Sequence, residues 1–267
     1  MCYDISFTAK LKELPAYFPE MVDSPQLELD FGQDHIIAHR YPEYPIVRRN
    51  SDGAVIMQYM EWGVIPFYVK DETKFIRQRA SMLNARAERI LDDPKSVWNK
   101  IKNRRCLIPV TGIFEHRGIV GWKNKVPYFI TLKDQPMFFI PGLYATVDLA
   151  DRETGEIVKL YTFTLITRAA NPLLANIHND GDHRYRMPLF LSLDLSKQWI
   201  EPELTETQYR EILNYEMPQE KMNYVPVWTI RSPKPRPDGK LKTEFWEWKD
   251  LPALGEKNPP EKLHEET

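Results

Sequence analysis

Ile157–Thr167 reads IVKLYTFTLIT, the longest run in the chain with the signature of a β-strand. Apolar and polar side chains alternate over much of it, and β-branched and aromatic residues dominate, as expected for a strand with one face on a core. Around it lies a strand-rich middle. Arg105–Val110 (RCLIPV) is a short apolar run, and Pro127–Leu132 and Met137–Ile140 flank Lys133-Asp134-Gln135-Pro136, a hairpin by its turn chemistry. Ala54–Met60 and Leu189–Leu193 read as further strands. Helices are expected at Glu72–Met82, Pro94–Ile101, Asn171–Ile177, around Leu195–Ile200 and at Thr205–Asn214, the last opened by a Thr205…Gln208 capping box. Residues 1 to about 50 carry prolines at 15, 19, 25, 42 and 45. They read as an extended arm with short strands, packed on the domain. No repeat or linker divides the chain. The reading is one mixed, strand-rich α+β domain over residues 1–250 with peripheral helices, then a Pro/Glu/Lys-rich tail, 251–267, expected to be disordered.

Composition narrows the function classes. With 267 residues, 42% hydrophobic and 28% charged, the chain can bury a sizeable core. No apolar run approaches the length of a membrane span, and MCYDISFTAK lacks the apolar stretch of a secretory signal, so a cytoplasmic monomer is expected. Two cysteines, Cys2 and Cys106, are too few for a disulfide framework, and no metal-binding spacing occurs, so neither metal nor cofactor is expected. Charge is uneven. Lys70–Lys125 holds fourteen Lys/Arg against six acids, a segment of +8 in a chain of net charge -2. Such a local excess is the footprint of a phosphate-binding face or of solvated helix surfaces.

The chain begins Met1-Cys2, and a small second residue favours removal of the initiator. A terminal cysteine carries an amine with a reference pKa of about 7.7–8.0 and a thiol near about 8.5 on adjacent carbons. Such an aminothiol condenses with an aldehyde to an imine and closes to a thiazolidine, or serves as a nucleophile with its own amine as base. Elsewhere, Trp62 stands beside the forced turn Gly63-Val64-Ile65-Pro66. Asn84-Ala85-Arg86 follows a helix, Glu115 emerges at a strand end after Gly112, and His178 closes a short helix. A carboxylate at a strand end can have its pKa raised for acid–base work.

In their order these blocks resemble the SOS response-associated peptidase family, the processors of abasic sites in DNA. They are Met1-Cys2, Trp62–Pro66, Asn84–Glu88, Cys106–Pro109 with Gly112 and Glu115, Thr167–Asn171, and Ile177-His178 ahead of Arg186-Met187-Pro188. The resemblance implies a thiazolidine crosslink between the terminal cysteine and the ring-opened aldehyde of an abasic site in single-stranded DNA. It gives Cys2 both nucleophiles and makes Glu115 a proton relay. His178 becomes a second acid–base group and Asn84 the residue that orients the terminus. Arg86, Arg77, Arg186 and Trp62 are expected on DNA, and the protein would be nucleoid-associated when bound there. The reading requires Cys2 to be open to solvent, in a positively lined groove beside Glu115.

Three departures stand out. Tyr3-Asp4 replaces the usual arginine at the fourth position, His116 follows the glutamate where Trp or Tyr is usual, and Asn179–Tyr185 lengthens the step from the histidine to Arg186. The insert makes His183 a rival to His178. Two other functions remain open to sequence: an N-terminal nucleophile peptidase or amidohydrolase, and a non-covalent reader of modified DNA.

Overall fold

The computed structural model of the protein describes residues 2–260 except 152 and 233. Its strands are β1 (Asp4–Phe7), β2 (Gln33–Ile37), β3 (Glu43–Arg49), β4 (Val55–Trp62), β5 (Asn84–Arg86) and β6 (Arg105–Val110). They continue as β7 (Gly112–Arg117), β8 (Val126–Leu132), β9 (Phe138–Ala150), β10 (Ile157–Ala169), β11 (Arg186–Pro188) and β12 (Met222–Pro226). The strand-rich α+β expectation is met. A five-stranded sheet runs β12-β8-β7-β1-β2, and a seven-stranded one runs β11-β10-β4-β3-β6-β9, with β5 on β10.

β10 organises the second sheet. It pairs antiparallel with β9 from Ile157↔Ala150 to Leu165↔Gly142, and that pairing closes β10, β4, β3, β6 and β9 into a ring. Its other edge takes β5 in parallel, with Leu165 opposite Asn84. β11 then adds to its end, with Ala169 opposite Arg186. Asn84 and Arg186 are thus both registered on one strand. Aromatic and aliphatic side chains fill the interior, Trp62, Phe163 and Trp199 among the fully buried.

The first fifty residues are not an arm laid on a finished domain. β1 sits inside the five-stranded sheet, between β2 and β7, with Asp4 opposite Phe114. β1 reads DISF, a polar–apolar alternation only four residues long, and all four side chains are buried, Asp4 and Ser6 included. Gly112 opens β7 because a Cβ would lie 2.2 Å from the Phe129 ring. Gly63 turns the chain after β4 at φ 99°, a conformation that favours glycine. Leu189–Leu191 are buried but belong to no strand; the ladder expected there lies at Arg186–Pro188. The Thr205–Gln208 capping box forms as read.

Residues 251–260, expected to be disordered, run against β7 and the His178 loop; residues 261–267 lie outside the described residues. Arg117, fully buried at the end of β7, donates to the carbonyls of Pro252 (2.9 Å), Ala253 (2.7 Å) and Glu256 (2.7 Å). Asn258 bonds Asn179 and Asn176. A buried guanidinium stripped of such acceptors is costly, by about 3 kcal/mol. Deleting residues 251–267 should therefore lower the unfolding free energy from urea titration, midpoint times slope, by that much, and Arg117→Met in the shortened chain should recover part of it. An unchanged midpoint on deletion would show that water satisfies Arg117 equally well.

Candidate active site

Glu115 lies on β7, its side chain 4% exposed. Burial pushes its carboxyl up to about 8, so the group is mainly protonated at neutral pH. His178 caps the helix Pro172–Ile177 and brings Nε2 to 3.9 Å from Glu115 Oε2. Its Nδ1 lies 2.8 Å from the Arg186 carbonyl, which can only accept, and 3.3 Å from the Arg186 N–H; the shorter contact favours the tautomer with the hydrogen on Nδ1 and the lone pair on Nε2. Burial drives this imidazole down to about 3. The pair is thus a neutral acid facing a neutral base. His183 is exposed in the following loop and takes no part in this contact.

Asn84, 5% exposed on β5, has neither Oδ1 nor Nδ2 hydrogen-bonded among the described residues, and Glu115 Oε1 is likewise without a partner. Buried polar atoms are usually satisfied, and these three stand open together with atoms elsewhere in the fold, such as Arg49 Nε and Trp228 Nε1. β5 is tied to the histidine through β10 and β11. Arg186 donates to the Thr167 carbonyl (2.9 Å) and forks onto Glu88 (2.6 and 3.0 Å), while its own carbonyl holds His178.

Cys2 departs from expectation. It lies two residues before β1, which neighbours β7, and its thiol reaches the Asp4 carbonyl at 3.7 Å. The side chain is 0% exposed, and burial, then the nearby charge of Glu115, pushes the thiol well above the ordinary range. The expected opening to solvent is absent. The physical reason is packing: Cys2 belongs to the main hydrophobic core, in the run of chain that leads into the buried strand β1.

Two of the expected DNA contacts are spent on structure. Trp62 is fully buried, donates to the Leu83 carbonyl (2.9 Å) and stacks on Phe163, so it cannot meet a base. Arg186 is held by Glu88 and Thr167 with a side chain 12% exposed. Arg86 and Arg77 are exposed, as that role requires. The basic segment overstates the surface charge, because Arg79, Arg105 and Arg117 are buried. Arg79 alone engages Glu61, Glu72 and the Gly63 carbonyl. Sequence reading passed over Phe67 and Tyr68, 54% and 55% exposed beyond the Trp62 turn; the proline before them, which sends the chain outward, was the available signal. Among the described residues no group of His, Cys, Asp and Glu could hold a metal ion, and no helix is long and apolar enough to cross a membrane.

Glu115 and His178 face each other beside the N-terminal strand, near enough to Cys2 for the Glu115 charge to act on its thiol. The chain belongs to the SOS response associated peptidase (SRAP) family, whose model matches residues 1–230. A Bacillus subtilis relative, abasic site processing protein YoaM, is 32% identical over 203 residues, 73% of this chain and 80% of that one. The yeast abasic site processing protein YMR114C is 35% identical over 148 residues, 55% of this chain and 34% of its own. A crystal structure of a Bacteroides thetaiotaomicron protein superposes with a TM-score of 0.71 at 32% identity, covering 85% of this chain and 92% of that one.

Proposed function

We propose that the protein processes abasic sites in single-stranded DNA by forming a covalent thiazolidine through Cys2 once Met1 has been removed. The observation that carries this reading is the Glu115–His178 pair, a carboxylic acid and a free-base imidazole 3.9 Å apart beside the N-terminal strand. That is the pair of protonation states a condensation at neutral pH needs. Glu115 would give its proton to the sugar ring oxygen and take up the proton of the C1′ hydroxyl as the ring opens to the aldehyde. The Cys2 amine adds to the aldehyde carbon, His178 Nε2 takes one amine proton as Glu115 protonates the oxygen, and His178 returns that proton to Glu115. The hydroxyl then leaves as water with the Glu115 proton while nitrogen gives its remaining proton to His178. The Cys2 sulfur then adds to the imine carbon and its proton passes to nitrogen, closing the five-membered ring. Asn84 would orient the freed terminus with its two unpartnered atoms. Arg86 and Arg77 would hold phosphates as charge-assisted contacts, and Phe67 with Tyr68 would meet the flanking bases by stacking.

Incubation of the Met1-free protein with an abasic single-stranded oligonucleotide tests the proposal on a denaturing gel. A heat-stable adduct is expected, with the mass of oligonucleotide plus protein less one water and the modification mapped to the N-terminal peptide. Adduct yield below saturation should fall steeply with salt, whereas amide hydrolysis by an N-terminal nucleophile would not. Absence of any covalent product would leave a non-covalent reader and sink the crosslinking mechanism. Met1 release by the protein itself, and strand cleavage at the lesion, are read in the same samples from the intact mass and from shortened oligonucleotides.

A further inference from the structure

Asp4 and Arg231 form an ion pair that sequence spacing could not suggest, across 227 positions. The Asp4 carboxylate is 3% exposed and fully engaged. Oδ1 accepts from His35 Nε2 (2.9 Å) and Arg231 Nε (3.3 Å), and Oδ2 accepts from Arg231 Nη2. Burial pushes this carboxyl up, and the bonds from His35 and Arg231 overcome that and hold it below its usual range. The arginine is in a different setting. Its side chain is 50% exposed, and only Nε and Nη2 face Asp4. A guanidinium clasped along one edge keeps its outer N–H groups for a second partner, and its rotamer is already fixed, so little entropy is lost when that partner binds.

Its position says what the partner is. Asp4 is two residues from Cys2, and the Arg231 charge acts on Tyr3, His39, Glu115 and His116, the residues around the N-terminal strand. The Tyr3 and His39 rings meet at 4.4 Å between centroids, tilted by 52°. The adjoining Lys242 ammonium bonds the Ile230 carbonyl (3.1 Å) and meets His35 Nδ1 (3.4 Å), which fastens this part of the chain to β2. Resting on the function proposed above, we infer that Arg231 is a phosphate-binding residue that holds the backbone phosphate next to the nucleotide captured by Cys2. It lies just beyond the family match, which ends at residue 230.

The test uses the full chain and a single-stranded oligonucleotide carrying a tetrahydrofuran abasic analogue, which binds but cannot condense. Arg231→Gln keeps a donor for Asp4 and removes the charge. It is expected to weaken binding and to reduce the slope of log affinity against log salt by about 0.7, the value of one single-strand phosphate contact. Arg231→Lys should retain the slope. Replacing one lesion-flanking phosphate by a neutral methylphosphonate should weaken the native protein and have no further effect on Arg231→Gln. A slope unchanged in Arg231→Gln, or additive losses at every methylphosphonate position, would overturn the assignment. If the native protein ignores the abasic analogue altogether, the function itself has failed rather than this residue's role.

Discussion

Glu115→Gln should slow adduct formation by about 10²–10⁴-fold, the usual worth of a positioned acid–base group, while making the folded protein more stable in alkali. Both effects come from one cause, the burial of a carboxyl whose pKa rises from 4.5 to about 8. The sign follows from proton counting. Between those values the native state holds a proton that the unfolded chain has released, so stability falls as pH rises. The favourable contribution is fully present below about 4.5 and is lost as the pH passes through about 8, a change of up to roughly 5 kcal/mol at 1.36 kcal/mol per unit. His178 works the other way. Its pKa is depressed from 6.5 to about 3, so its contribution is present above about 6.5 and lost as the pH falls toward 3. Urea midpoints at pH 6 and pH 9 should therefore drop between the two for the native protein and drop less for Glu115→Gln. The native rate should decline above pH 8 as the acid deprotonates, and the variant should lose that decline. A variant that forms adduct within threefold of the native rate would remove Glu115 from the chemistry.

What made the fold legible was the alternation of Ile157–Thr167, which became the strand that carries both Asn84 and Arg186 on its edges. What hid the N-terminal half of the site was brevity. Asp4–Phe7 alternates polar and apolar over only four residues, too short a run to stand out, and its pairing with β2 and β7 is what gives it a place. The candidate polar groups were visible as single residues beside breakers; Asn84 opens β5 and His178 closes its helix, but Glu115, expected at a strand end, lies inside β7. Direction was not visible. A count of charges cannot tell Arg86, which faces water, from Arg79, which is fully buried between two glutamates. Nor can it show that Trp62 turns inward while Phe67, five residues on, turns out. Partnerships between distant segments, Asp4 with Arg231 and Arg117 with residues 252–256, carry no local signature at all.

The burial of Cys2 gives the second large effect its form, because amine and thiol make separable contributions. Cys2→Ser keeps the α-amine after Met1 removal but has no sulfur to close the ring. It should yield no adduct that survives heating, yet borohydride should trap it on abasic DNA by reducing the imine to a secondary amine. Acetylating the α-amine of the native protein should abolish both products, since neither imine nor thiazolidine can form from an amide. The thiol should also change state with Met1. In the chain that retains it, Cys2 is fully buried with its pKa raised, so iodoacetamide should label it no faster than Cys106, whose thiol burial also pushes up. Removal of Met1 by methionine aminopeptidase should release Cys2 for labelling and leave Cys106 protected, read by mass spectrometry of the two peptides. A Cys2 that stays unreactive in the Met1-free protein, or a heat-stable adduct from Cys2→Ser, would rule out sulfur closure at this terminus. The Glu115–His178 pair would then be serving some other condensation.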